Sequence, residues 1–173
     1  MKKALWIVLA GLFLAGPAVA DEKQIRMNLV TAQGLGEEIG TIAVRDSPFG
    51  LLLTPRLTRL PPGIHGFHVH QNPDCGSMAP GGAPMPAMAA GGHYDPAKTD
   101  RHEGPYGDGH LGDLPFLFAD KDGTASAPVL APRLRQSDLQ GRSLMIHAGG
   151  DNYSDVPEKL GGGGGRIACG TVR

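Results

Sequence analysis

The chain has 173 residues, enough for one domain with a sizeable core and too few for two. Sixteen basic residues stand against seventeen acidic ones, so no electrostatic footprint argues for nucleic acid or for an anionic lipid surface. Glycine and proline supply 42 residues and aromatic side chains only 5%, so loops must make up much of the fold.

Lys2 and Lys3 precede an uncharged, mostly apolar run over residues 4–16, and Ala18-Val19-Ala20 reads as an A-x-A cleavage site. The run is shorter than the roughly 18 residues that mark a membrane-spanning helix. Residues 1–20 are therefore expected to be a signal peptide cleaved after Ala20, leaving a single exported domain over 21–173. Without Lys2 and Lys3 that domain has fourteen basic residues and a net charge of −3. No later segment is apolar enough for a membrane.

Period-two alternation recurs along the rest of the chain. Ile25, Met27 and Leu29 mark a first strand, Ile39, Thr41 and Ala43 a second, and residues 51–53 a third, with turn residues around 46–50 between the last two. Pro61-Pro62-Gly63 introduces a fourth over 64–70. Further strands fit 116–119, 127–130, 143–147 and 166–172, and Asp120-Lys121-Asp122-Gly123 is a turn signal. Short strands with Gly/Pro-rich connections predict an all-β antiparallel sandwich or barrel. Two connections, 71–115 and 148–165, are too long for hairpins, and long loops of this kind are either functional or disordered. The second ends in five glycines, Gly161 to Gly165, which read either as a flexible linker or as tight backbone packing beside a site.

Two cysteines, Cys75 and Cys169, lie in the exported part, 94 positions apart, and are expected to form a disulfide. Seven histidines lie there too. His68-Val69-His70 on a strand places two imidazoles on one face, where they can share a metal. His110 and Asp113 form a second short chelate around a glycine, with His93 and His102 upstream. Imidazole with carboxylate suits zinc, and imidazoles alone suit copper or zinc.

Gly66-Phe67-His68-Val69-His70, Gly91-Gly92-His93-Tyr94-Asp95-Pro96, residues 104–115 around His110-Leu111-Gly112-Asp113, and Gly165-Arg166-Ile167-Ala168-Cys169-Gly170 resemble copper/zinc superoxide dismutase, with the bacterial periplasmic branch nearest. The resemblance runs through the whole of 21–173. It implies an eight-stranded antiparallel Greek-key β-sandwich, or flattened barrel, with two long functional loops, located in the periplasm as a monomer or homodimer. It also implies one copper and one zinc ion per subunit. Copper would be held by His68, His70, His93 and His147, and zinc by His93, His102, His110 and Asp113, with His93 as the bridging imidazolate. The implied reaction converts two superoxide anions and two protons to oxygen and hydrogen peroxide by Cu(II)/Cu(I) cycling.

By the same resemblance, Arg166 guides the anion, Asp151 hydrogen-bonds a ligand histidine of each metal, and His65 is structural. The loop after His147 carries Asp151, Asp155 and Glu158 against one base, Lys159, so charge steering would have to come from elsewhere, with Lys98 and Arg101 as candidates. Met78, Met85 and Met88 read either as an adaptable apolar loop or as thioethers that capture Cu(I). A periplasmic copper or zinc store or chaperone on the same scaffold is the alternative function. A copper-only enzyme would lack the zinc ligands, and a metallohydrolase would keep an open zinc position.

Overall fold

Alternating apolar residues and tight turns organise the chain into strands throughout. The computed structural model describes residues 21–173, and the expected signal peptide lies outside the described residues. Strand β1 (Lys23–Thr31) pairs antiparallel with β2 (Gly34–Ser47), which turns through Pro48 and Phe49 into β3 (Gly50–Leu57). Ile25 and Met27 of β1 are buried in the main core and Leu29 packs against it, as the alternation predicts, whereas Val30 belongs to a second cluster.

The segment expected as one strand over 64–70 is divided at Gly66. Its first part, β4 (Gly63–His65), pairs with β6 (Leu117–Ala119) in a two-stranded sheet. Its second part, β5 (Phe67–His70), joins the main sheet, and this division turns eight expected strands into nine. With β7 (Val129–Ala131), β8 (Arg142–His147) and β9 (Arg166–Val172), the main sheet has the order β5-β8-β9-β1-β2-β3-β7. Every pairing in it is antiparallel, and the non-sequential neighbours β5–β8 and β9–β1 belong to Greek-key winding. The fold is all-β, as expected, and the regular structure in the long connections is limited to short 3₁₀ turns at Met88–Ala90 and Lys159–Gly162.

Two apolar clusters hold the sheet. The larger one takes Ile25, Met27, Ile42, Leu53, Phe67, Val69 and Leu144 from facing strands, all essentially without solvent contact. The smaller one lies on the other side, around the Cys75–Cys169 disulfide, with Val30, Met145, Ala87 and Ala90. The disulfide thus fastens the start of the long 71–115 connection to β9. Strand β5 is buried on both faces: Phe67 and Val69 enter the core, while His68 and His70 lie beneath the long connections.

Candidate metal centre

Backbone pairing brings the long connection onto β5. Val69 N–H donates to Gly112 O and Tyr94 N–H to Val69 O, each at 2.8 Å, so the free edge of β5 is capped from both ends of the connection. This sets His93 opposite His70 and Asp113 opposite His68. Gly112 is required at this contact, since a Cβ there would run into Val69 O and lie 2.8 Å from Tyr94 N. Arg142 then stacks its guanidinium 3.5 Å above the Tyr94 ring and holds the turn after His93.

Six imidazoles converge in this space, all buried: His68, His70, His93, His102, His110 and His147. Donor atoms of His68, His70, His93 and His147 lie within 4.8 Å of one another, as do those of His68, His93, His102 and Asp113. His110 adjoins the second set, with Nδ1 3.4 Å from Asp113 Oδ1. The His68 and His93 rings stack with centroids 3.9 Å apart, so the two sets share a wall.

Each ring keeps one buried nitrogen without a hydrogen-bond partner: Nδ1 of His68, His102 and His110, and Nε2 of His70, His93 and His147. For four rings the other nitrogen is anchored by groups that face away from the cluster. His70 Nδ1 donates to Gly91 O at 2.9 Å and His147 Nδ1 to Gly164 O at 3.2 Å. His68 Nε2 and His102 Nε2 donate to the two oxygens of Asp151, both at 2.8 Å. These contacts fix the tautomers, so the lone pairs point inward. Buried polar atoms are costly unless satisfied, and six lone pairs aimed into a shared space are the signature of cation sites.

The electrostatics divide the cluster. Burial, reinforced by neighbouring His93, holds His68 and His70 well below the usual imidazole pKa and brings His147 down to about 4. Burial also lowers His93, against the opposing hydrogen bond from Asp113. For His102, burial disfavours the proton, but Asp113 and Asp151 outweigh it and raise the ring to about 9. The nearby Asp113 carboxylate raises His110 as well. Burial would raise the Asp113 carboxyl, yet the surrounding His102, His110 and His93 hold it far below the usual carboxylate range. One half of the site is neutral and imidazole-only, and the other pairs imidazoles with a carboxylate.

The remaining expected residues fall around this core. His65 contacts His147 O at 2.8 Å and Pro61 O at 2.7 Å and stands outside both donor sets. Arg166 donates to Ala87 O and Gly91 O at 2.5 and 2.6 Å and lines a pocket with His70, His93 and His147. Burial lowers its pKa, but a guanidinium starts high enough to stay charged.

The acidic loop after His147 is turned inward at two of its three acids. Asp151 holds the two imidazoles, and Asp155 accepts from His102 N–H at 2.8 Å and Leu160 N–H at 3.0 Å. Of the five glycines, Gly161 and Gly163 are buried against the site, while Gly164 and Gly165 are exposed. A Cβ at Gly161 would collide with Asp151 Oδ1, and one at Gly163 would lie 3.3 Å from the His147 ring. Of the steering candidates, Lys98 is exposed and Arg101 is paired with Glu103 at 2.5 Å.

Sequence reasoning passed over Arg133. Its guanidinium donates to the carbonyls of Gly104, Pro105, Gly109 and His110, the last at 2.6 Å. It lies in Ala-Pro-Arg-Leu-Arg, between strands and outside every motif, so no local pattern marks it.

The family model described as copper/zinc superoxide dismutase matches residues 39–172. The chain belongs to the copper/zinc superoxide dismutase family. It is 52% identical over 174 residues to copper–zinc superoxide dismutase 2 of Salmonella typhimurium, with all of both chains covered. It is 49% identical over 173 residues to the copper–zinc superoxide dismutase of Brucella melitensis, with 99% of each covered. Among solved structures, the enzyme from Brucella abortus superimposes with a TM-score of 0.87 at 49% identity, covering 88% of this chain and 100% of that one. The solution structure of the monomeric enzyme from Salmonella enterica gives 0.80 at 52% identity, with the same coverage. As a member of this family the chain is an oxidoreductase acting on superoxide, with copper and zinc as cofactors.

Proposed function

We propose that the chain dismutes superoxide at two adjoining centres, with His68, His70, His93 and His147 as the copper ligands and His93, His102, His110 and Asp113 as the zinc ligands. The observation that carries this reading is the set of six buried imidazole nitrogens without partners, all directed into one space. His68 lies near both sets, but its Nε2 is engaged by Asp151, leaving Nδ1 for one metal. The alternating directions of strand β5 pair it with His70 on the copper side. His93 alone is placed to serve both, with Nδ1 toward Asp113 and Nε2 free. A neutral imidazole set suits copper, and a set completed by a carboxylate suits zinc.

When bound, copper supplies the electron exchange between Cu(II) and Cu(I), while redox-inert zinc supplies charge that favours a deprotonated His93. The residues do the rest. Arg166, anchored through two carbonyls, presents a fixed positive charge over the pocket and holds superoxide there. His93 takes up a proton at Nε2 and yields it to the reduced oxygen species, which with a second proton from solvent leaves as hydrogen peroxide. Asp151 keeps a ligand ring of each centre in register. A storage role on the same scaffold would have no use for a guanidinium fixed above the copper-side imidazoles.

All proposed ligands come from a single chain, so one chain makes a complete site. The sequence of residues 1–20 and the Cys75–Cys169 disulfide support export to the periplasm with cleavage after Ala20. Full-length chain expressed in a Gram-negative host should be recovered from the periplasm beginning at Asp21, with one copper and one zinc per chain and rapid superoxide decay. Stoichiometric metal without decay would overturn the catalytic reading.

A further inference from the structure

We infer that Met78, Met85 and Met88 form a Cu(I)-loading site at the mouth of the copper pocket. The inference rests on the assignment of copper to His68, His70, His93 and His147. Met85 and Met88 line the same pocket as His70, His93, His147 and Arg166. Met78 stands directly opposite Met85 in an isolated antiparallel bridge, with Met85 N–H donating to Met78 O at 2.8 Å and Met78 N–H to Met85 O at 3.3 Å. Residues paired in this way carry their side chains on one face, so the two thioethers lie side by side.

Exposure sets Met78 and Met85 apart, while Met88 is half-buried beside them. Met27 and Met145 are fully buried in the two apolar clusters, whereas Met78 and Met85 are 53% and 48% exposed. A packing role explains the buried pair but not the exposed one. Thioethers are soft, neutral donors suited to Cu(I), and they neither titrate nor compete for zinc. The segment that bears them is fixed relative to the imidazoles: Arg166 holds Ala87 O and Gly91 O, Asn72 holds Ala89 O at 2.9 Å, and Cys75 is bonded to Cys169.

In the transfer, bonds from the thioether sulfurs to Cu(I) break as His70 Nε2 and His147 Nε2 form theirs. The copper remains Cu(I), so no electron moves. The protons on His70 Nδ1 and His147 Nδ1 stay on those nitrogens, hydrogen-bonded to Gly91 O and Gly164 O, so neither ring has to release one.

The test presents Cu(I), held by bathocuproine disulfonate without oxygen, to zinc-loaded protein and follows the loss of the chelate colour. The Met78→Leu/Met85→Leu/Met88→Leu variant keeps apolar volume. It should take up copper about tenfold more slowly and reach the same final occupancy, since the imidazole set is intact. Equal rates would overturn the loading site while leaving the copper centre in place. Wild-type protein that retains no copper would instead overturn the copper assignment. A second arm is independent of how the variant folds. In wild-type protein carrying Cu(I) and zinc and labelled with ¹³C at the methionine methyls, one equivalent of Ag(I) should shift Met78, Met85 and Met88 and leave Met27 and Met145 unmoved. Resonances of the three that do not respond would overturn the proposal.

Discussion

Asp151 shows how much of the site depends on a residue that need not touch a metal. Its two oxygens accept from His68 Nε2 and His102 Nε2, and Oδ1 also accepts from Tyr153 N–H. An amide offers one acceptor oxygen, so Asp151→Asn sets an N–H against one of the ring N–H groups. Zinc affinity, measured by competition with a chromophoric chelator, should fall about 10–100-fold. Gly161 supports the same carboxylate from behind, at φ +71°. Gly161→Ala would both strain the backbone and push into Asp151, costing about 1–3 kcal/mol, which should register as a lower melting temperature together with partial zinc loss. The imidazoles and Asp113 were legible because H-x-H on a strand and a histidine–carboxylate pair around a glycine are local patterns. The role of Gly161 was open between linker and packing, because the atoms that would meet its Cβ come from His102 and from Asp151 across the loop.

At the scale of elements, β5 is finished by a loop. The sheet order leaves β5 at an edge, and Tyr94 and Gly112 cover that edge through Val69. The same stitches carry His93 and Asp113 to their places, so edge protection and site assembly are one event. Arg133 secures the far side of the loop through four carbonyls. Hydrogen bonds from a charged group contribute about 1.5–3 kcal/mol each when well formed. Arg133→Ala should therefore raise amide hydrogen exchange across residues 101–113 and leave the protein short of zinc relative to copper. Arg133→Lys should restore little of this, because an ammonium cannot reproduce the planar fork. The strands themselves were readable from alternation, but the division at Gly66 was not. Residues 64–70 carry β-branched and aromatic side chains on both sides of Gly66, and only the partners show that the chain changes sheets there, β4 pairing with β6 and β5 with β8.

For the molecule as a whole, the disulfide closes a loop of 94 positions through a core that many glycines and few aromatics leave modest. In the chain-entropy account a closure of this length stabilises by about 4–5 kcal/mol. The Cys75→Ser/Cys169→Ser variant, loaded with both metals, should lose stability on that scale in urea, with a lower midpoint and a steeper slope because the uncrosslinked denatured chain exposes more surface. The overall architecture was legible from strand count and loop chemistry. The sheet order was not, since β1 pairs with β9 at Asn28 and Cys169, a contact that no local periodicity can announce.

That last pairing governs the order in which the molecule can come into being. Strand β1 is made long before β9, and β9 brings Arg166 and Cys169 with it. A nascent chain whose β9 has yet to emerge lacks the cover for one side of β1, the second cysteine and the guanidinium over the pocket. Folding dominated by such distant pairings is slow, on the millisecond-to-second scale. Closure of the sheet, of the disulfide and of the pocket thus waits until β9 has been made, however early the other strands are ready.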